Sequence, residues 1–154
     1  MLEHTNLLVR RATGGWDILE SETNRLLGIA RLRPTRSNWG LGWLTLPIVD
    51  VFESEDEPLV FTVRRLWGFS RRWEVCDADG HRVARIWRGW ILDAFGRTWA
   101  KLEWTTSGFR FHAGDREFAW THMTADGLEI CFAPDLKDHP LTKMSLLGAV
   151  LALV

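Results

Sequence analysis

Residues 73–88 decide the fold, and they read Trp73-Glu-Val-Cys-Asp-Ala-Asp-Gly-His-Arg-Val-Ala-Arg-Ile-Trp-Arg88. Trp73 and Val75 occupy alternate positions, which is typical of a half-buried strand because successive strand side chains point to opposite faces of a sheet. Asp79-Gly80 then indicates a tight turn, since glycine adopts a positive φ without steric cost. The stretch therefore predicts a β-hairpin with an acidic turn.

The same pattern occurs again in two other parts of the chain. Residues 16–31 align without a gap on residues 73–88, with Trp, Arg, Ile and Arg identical at matched places. Residues 92–102 form a fainter third copy. One hairpin cannot bury its own apolar face, so repeated hairpins are predicted to pack around a shared core. Chance similarity between two hairpins rich in Arg and Trp is the alternative explanation.

Alternation with period two continues along most of the chain, with further turn signals at Phe95-Gly96, Ala113-Gly114-Asp115 and Asp126-Gly127. Roughly ten to twelve short strands result, a number typical of a sandwich or barrel. The alternating apolar sets are Leu59, Phe61 and Val63; Phe109 and Phe111; Phe118 and Trp120; and Leu128, Ile130 and Phe132.

The C-terminal segment, residues 140–154, breaks this pattern and predicts a helix. Pro140 suits the first helical turn, where its missing N–H is not needed, and Asp138 is a plausible cap. After Ser145 the segment is apolar all round, and such a helix must be buried. A bilayer span needs about 20 residues, so we expect a helix wrapped by a barrel of strands. A truncated tail anchor is the alternative.

Composition indicates one ordinary globular domain covering residues 1–154. A net charge of −1 argues against a general nucleic-acid binder, so we do not predict a nucleic-acid partner. Cys76 and Cys131 lie in apolar, strand-like stretches, and we expect buried reduced thiols, with a single bridge as the alternative. Residues 1–12 contain no apolar run of the secretory type. We therefore expect a cytoplasmic protein. In one interpretation, it also associates peripherally with a membrane.

The order of these features resembles the tubby-like C-terminal fold, specifically its phospholipid scramblase and LURP-one-related branch. The hairpin at residues 73–86 is similar to that branch's central motif, and Lys143-Met-Ser-Leu-Leu-Gly-Ala-Val150 is similar to the start of its core helix. The likeness extends from about Trp16 to Val154. It implies a mostly β fold, a closed antiparallel barrel of about 12 short strands around a central hydrophobic helix at residues 140–154.

The chain departs from the animal scramblases in several motifs. A proline-rich arm, a cysteine-rich acylation stretch and an acidic calcium segment before the last helix are not visible in the sequence. Before the helix, Asp135 and Asp138 are the acidic residues, which is too sparse for a calcium loop with six to eight oxygen ligands. Calcium-triggered lipid scrambling is therefore not predicted.

The densest candidate site is the basic and aromatic stretch at residues 64–73. Arginine pairs bidentately with phosphate, and tryptophan favours the membrane interface. The alternative is a solvated hairpin whose arginines pair with the acidic loop Glu53-Ser-Glu55-Asp56-Glu57 and whose Trp67 folds inward. The residues predicted to bind lipid are Arg64, Arg65, Trp67, Phe69, Arg71 and Arg72.

No motif for catalysis, a cofactor or a metal is recognisable in the sequence. A metal site built from Cys76, Cys131, His112 and His122 would need ligands from distant strands, without the usual C-x-x-C or H-x-x-x-H spacing. G-x-S-x-G, P-loop and H-E-x-x-H motifs are absent from the sequence. We therefore expect a non-enzymatic module that needs no cofactor.

Three functions remain as hypotheses. The first is a domain that binds phospholipid headgroups or an anionic membrane surface through the basic and aromatic hairpin. The alternative is a protein-interaction or structural module without lipid activity. An enzyme with a pocket at the barrel mouth is the weakest reading, and fold alone does not decide between them.

Overall fold

The predicted fold class is confirmed by the computed structural model, which describes residues 1–36, 45–54, 57–67 and 71–154. Twelve strands form a closed antiparallel barrel, followed by a short 3₁₀-helix and one α-helix, α1. The elements are β1 (Asn6–Ala12), β2 (Gly15–Glu20), β3 (Leu26–Arg36), β4 (Thr45–Phe52), β5 (Leu59–Leu66), β6 (Arg72–Asp77), β7 (Arg82–Trp87), β8 (Trp90–Asp93), β9 (Thr98–Trp104), β10 (Phe109–Ala113), β11 (Arg116–Met123), β12 (Leu128–Phe132), the 3₁₀-helix (Pro134–Leu136) and α1 (Pro140–Leu151).

Closure of the barrel depends on the pairing of its first and last strands. Asn6 of β1 lies opposite Cys131 of β12, and Val9 lies opposite Leu128. Every other strand pairs with its neighbours in sequence, so the whole barrel is built from consecutive hairpins. A closed sheet leaves no edge strand with unpaired N–H and C=O groups.

Strand alternation divides the side chains between the barrel interior and its outer surface. On β5 and β6, Phe61, Val63 and Val75 point inward and are fully buried in the core. Glu74 and Cys76, the neighbours of Val75, lie on the outer face, where surrounding side chains bury them. Both cysteines of the protein are free and buried, as predicted.

The helix α1 fills the interior and packs against β5, β6 and β7. Every residue from Lys143 to Leu151 is buried, because the surrounding strands enclose the helix on all sides. Full burial of a single Leu or Val side chain contributes about 1.5–3 kcal/mol, so the helix and the barrel stabilise each other. Within the described part of the chain, no helix has the length and apolar composition that a membrane crossing requires.

Two details of the helix differ from prediction. It ends at Leu151 rather than at residue 154, and Leu153 and Val154 are partly exposed because the chain has left the barrel by then. The N-cap is His139 rather than Asp138, and no side chain caps the helix. Pro140 at the first helical position lacks an N–H, so one fewer backbone donor requires a partner there.

The direction of α1 distinguishes the two ends of the barrel. Leu141 and Ser145, near the helix start, lie beside the β6–β7 and β8–β9 turns, and we call this the entry end. Ala152 and Leu153, just after the helix, lie beside the ends of β5, β6, β7 and β9, and we call this the exit end. The basic and aromatic hairpin formed by β5 and β6 has its tip at the exit end.

A charged side chain lies inside the barrel. Lys143 of α1 is fully buried, and its Nζ donates a hydrogen bond to the carbonyl oxygen of His4 at 3.0 Å. The same ammonium lies 5.4 Å from the ring centroid of Phe132. Burial lowers the pKa of Lys143, while the charges of Asp138 and Glu3 partly oppose that shift. The buried part of α1 is therefore apolar only from Met144 onward, apart from Ser145.

Candidate functional site

The hairpin of β5 and β6 divides the predicted lipid-binding residues between two faces. Arg64 lies on the outer face, where its Nη2 and Nε donate to Glu74 Oε2 at 2.6 and 2.9 Å. The hydrogen bond to Glu74 raises the pKa of Arg64 above its ordinary value. Because its guanidinium is already bonded to a carboxylate, Arg64 is poorly placed to bind an external anion.

Glu74 is the centre of a cluster of arginines on the outer surface. Arg82 Nη1 lies 3.5 Å and Arg85 Nη2 lies 3.7 Å from Glu74 Oε1, in addition to the contacts of Arg64. The carboxylate is almost completely buried beneath these side chains. Among the described residues, the acidic partner of Arg64 is therefore Glu74 on the adjacent strand.

Trp67 and Arg72 lie at the tip of the same hairpin. Arg72 Nη2 approaches the carbonyl oxygen of Trp67 at 3.4 Å, and its buried Nε has no hydrogen-bond partner among the described residues. The Trp67 side chain does not fold inward, since 68% of the residue is exposed. Phe69, which the sequence also places in the site, lies outside the described residues.

Arg65 and Arg71 contribute to a pocket of about 880 Å³ at the exit end. A third arginine, Arg88, enters from the β7–β8 turn. Within the described part of the chain, these three guanidinium groups form no ion pair with an acidic side chain, and no acidic residue lines the pocket. The other lining residues are Trp73, Ile86, Gly89, Trp104, Ala152 and Leu153.

The pocket thus combines positive charge with an apolar wall. Ile86 is buried, Trp73 is half-buried against the core, and Leu153 supplies an exposed aliphatic side chain from the segment after α1. Such a combination is suited to an amphiphile that has an anionic group and a hydrocarbon portion, because each part meets a complementary surface.

Arg88 has an unusual backbone conformation. It precedes Gly89 in the two-residue turn between Trp87 and Trp90, and φ is +50° at Arg88 and +80° at Gly89. Positive φ at both positions is typical of a type I′ turn, whose first position favours Asn, Asp or Gly. A residue with a longer side chain in the left-handed region costs about 1–2 kcal/mol, and such strain clusters at functional sites.

We predict that Arg88→Asn increases the free energy of unfolding by about 0.5–1 kcal/mol, because Asn tolerates the left-handed region better than Arg. Chemical denaturation monitored by circular dichroism measures this change. Arg88→Ala is the matched control, since it removes the same guanidinium but keeps the unfavourable backbone position. An equal gain in both variants would contradict the role of backbone strain.

Several tryptophans lie near the exit end of the barrel, and two of them, Trp73 and Trp104, line the pocket. Trp67 and Trp104 are about two-thirds exposed, while Trp87 and Trp90 face each other across the ends of β7 and β8. The guanidinium of Arg88 lies 5.4 Å from the centroid of the Trp87 ring. Exposed indoles next to arginines form a surface with both apolar and cationic character.

The acidic residues before β5 take part in structural contacts. Arg33 donates to both carboxylate oxygens of Asp50, at 2.8 and 3.2 Å, which ties β3 to β4. Glu53 Oε1 lies 3.3 Å from the N-terminal amine. Residues 55 and 56 of the acidic loop lie outside the described residues. Asp50 and Glu53 therefore each take part in a local ion pair, and neither belongs to a described cluster of metal ligands.

Comparison with known proteins gives a likeness of fold. No protein-family model matches the sequence, and no curated protein sequence matches it. A crystal structure of a protein from Arabidopsis thaliana is similar to the barrel, with a TM-score of 0.62 and 16% sequence identity. The alignment covers 94% of this chain and 90% of the plant protein. The two proteins therefore share nearly the whole barrel architecture.

Proposed function

We propose that the protein is a non-enzymatic module that binds anionic phospholipid at the exit end of the barrel. The observation that supports this proposal is the pocket where Arg65, Arg71 and Arg88 meet an apolar wall. Of the four hairpin arginines predicted to bind headgroups, the proposal retains Arg65 and Arg71, because Arg64 is bonded to Glu74 and Arg72 donates to the carbonyl oxygen of Trp67. Arg88 replaces Arg64 as the third cation.

The headgroup would bind to the three guanidinium groups. Arginine donates two parallel hydrogen bonds to a phosphate or carboxylate, and these charge-assisted bonds are stronger than neutral ones. Arg64 illustrates the contrast, since its donors are already directed at Glu74. The protein as a whole has a net charge of −1, so attraction to an anionic surface depends on this local concentration of arginine.

The aromatic rim would contact the interfacial region of the membrane. Trp67 and Trp104 are exposed at the exit end. Met123, the last residue of β11, is exposed at the same end of the barrel. Indole rings favour the boundary between headgroups and acyl chains, because one part of the ring is apolar and the N–H is polar. The apolar wall near Leu153 is then available to an acyl chain or to the glycerol region of the lipid.

The proposal includes membership of the phospholipid scramblase and LURP-one-related family. Its support is the sequence resemblance together with a closed barrel of twelve strands around a buried C-terminal helix. The similar barrel of the Arabidopsis protein supports the fold, and at 16% identity it carries no inference about function.

Vesicle co-sedimentation tests the proposal with three arginines replaced together, as Arg65→Gln, Arg71→Gln and Arg88→Gln. Each basic residue near an anionic surface contributes about 1 kcal/mol, so the triple variant is expected to bind phosphatidylserine vesicles about 100-fold more weakly. Raised salt should also weaken the binding of wild type to phosphatidylserine vesicles, because exposed charges are screened. Trp67→Ala should weaken binding at both salt concentrations.

The matched control removes three arginines from the entry end, as Arg25→Gln, Arg97→Gln and Arg116→Gln. All three are exposed and lie in or beside connections at the opposite end of the barrel, so the net charge changes equally. This variant should retain most of the affinity for phosphatidylserine vesicles. Equal losses in the two triple variants, or a wild type that ignores both phosphatidylserine and neutral phosphatidylcholine vesicles, would overturn the proposal and favour a protein-interaction module.

A further inference from the structure

The outer surface of the barrel carries two similar pairs of Glu and Cys. Glu74 and Cys76 lie on β6, and Glu129 and Cys131 lie on β12. One residue lies between the two members of each pair, so both side chains point to the same face of their strand. The surroundings of the two pairs differ in a way that changes what each can bind.

The pair on β12 lies next to a histidine. His122 of β11 is directly opposite Glu129 in the strand register, and its Nε2 lies 2.9 Å from Glu129 Oε2. One ligand atom from each of His122, Glu129 and Cys131 lies within 4.8 Å of the other two. Cys131 is nearly buried, whereas the His122 side chain is 40% exposed, so solvent reaches the cluster from the histidine side.

The pair on β6 has a positively charged environment instead. Arg64, Arg82 and Arg85 all contact the carboxylate of Glu74, which lies 4.0 Å from the sulfur of Cys76. Three guanidinium groups around one carboxylate repel a metal cation and occupy the oxygen ligands. The Glu74 and Cys76 pair is therefore an internal control for the pair on β12.

A neighbouring hydroxyl orients the carboxylate of Glu129. Ser21, which follows β2, donates a hydrogen bond from Oγ to Glu129 Oε1. The other oxygen, Oε2, remains directed at His122. Hydrogen bonds of this kind fix the orientation of metal-binding carboxylates in proteins.

We propose that His122, Glu129 and Cys131 form a binding site for a divalent transition metal of the zinc class. Imidazole nitrogen, thiolate sulfur and carboxylate oxygen are the three ligand types that zinc prefers. In the metal-bound form, the Glu129 carboxylate and the Cys131 thiolate would each carry one negative charge and His122 none. A divalent ion neutralises these two charges. Three protein ligands leave one position of a tetrahedral ion open to water or an external ligand.

Metal coordination by Cys131 requires loss of the thiol proton. Burial, and then the negative charge of Glu129, raise the pKa of the thiol. The charge of a bound cation outweighs both influences and deprotonates the coordinating sulfur, with release of the thiol proton to solvent. The sequence gives no sign of the site, because its three ligands have no motif spacing and are brought together by the register of β11 and β12.

Titration of the intact protein with Co²⁺ tests the proposal, because a cobalt–thiolate bond gives a charge-transfer band in the near ultraviolet. We expect wild type to show this band with one Co²⁺ per chain, and Zn²⁺ to displace it. Cys131→Ser should abolish the band, and His122→Gln should weaken Co²⁺ binding at least about tenfold, since even outer-shell changes cost 10–100-fold. Cys76→Ser is the matched control and should keep the band.

Thermal unfolding with and without Zn²⁺ provides a second measurement. A metal that binds the folded state raises the unfolding temperature, and this rise should occur in wild type and Cys76→Ser and should be clearly smaller in His122→Gln. Because His122 is partly exposed, its replacement is expected to leave the barrel folded. Absence of saturable Co²⁺ binding in wild type, or a band that survives Cys131→Ser, would overturn the proposal.

Discussion

Val150→Asp is expected to prevent the barrel from folding. Val150 is fully buried within α1, and the substitution would place a carboxylate of similar size inside the apolar core. An unpaired buried charge costs on the order of 5 kcal/mol, which approaches the whole stability of a typical domain at about 5–15 kcal/mol. Soluble expression and thermal unfolding by circular dichroism measure the effect.

Val150 lies away from the cations near either end of the helix. An Asp at position 147 would lie one helical turn from Lys143, which could pair with it. An Asp at position 151 would lie next to Ala152, which lines the pocket that contains the arginines. Leu141→Asp is the control, because Leu141 lies in the first turn of α1 and is 57% exposed. A soluble Val150→Asp protein that unfolds cooperatively near the wild-type temperature would show that the barrel does not enclose the helix.

Much of this fold could be predicted because its determinants are local. Period-two alternation and Gly-containing turns specify hairpins one at a time, and twelve strands in consecutive hairpins need no long crossover. The all-apolar segment after Ser145 indicates a buried helix for a similarly local reason. The end of α1 at Leu151 could not be predicted, because it depends on where the chain leaves the barrel.

The candidate site was predictable only in part, since it combines two hairpins. Arg65 and Arg71 belong to the stretch that the sequence singles out, and the pocket includes both. Strand alternation alone would have separated Arg64 from Arg65, because neighbours on a strand face opposite ways. Arg88 comes from the next hairpin, and its signal was an Arg-Gly turn between two tryptophans, a place where Asn-Gly is usual.

The Glu74 cluster and the proposed metal site show a further limit of sequence analysis. Both depend on which residues lie opposite each other across strands, and register is set by the whole closed sheet. Arg64 faces Glu74, and His122 faces Glu129, across pairs of neighbouring strands. Two similar Glu-x-Cys sequences thus acquire opposite electrostatic surroundings, which neither sequence indicates by itself.

Gly148→Val is expected to destabilise the protein by about 3 kcal/mol through overpacking. Gly148 lies in the middle of α1, where a Cβ atom would come within 2.6 Å of Val75 Cγ2 and 3.4 Å of Val63 Cγ2. Both valines are fully buried and belong to the strands that surround the helix. The glycine therefore allows α1 to approach β5 and β6 closely, at a cost in helix propensity of about 1 kcal/mol relative to Ala.

A double-mutant cycle with Val75→Ala tests whether this contact is the cause. Val75→Ala alone removes two methyl groups from the core and should cost about 2 kcal/mol. In the double variant, the valine methyl groups at position 148 take the space that Val75 has vacated. The combined loss, measured by chemical denaturation, should be smaller than the sum of the single losses by at least about 1 kcal/mol. Strict additivity would mean that Gly148 is needed for a reason other than its contact with Val75.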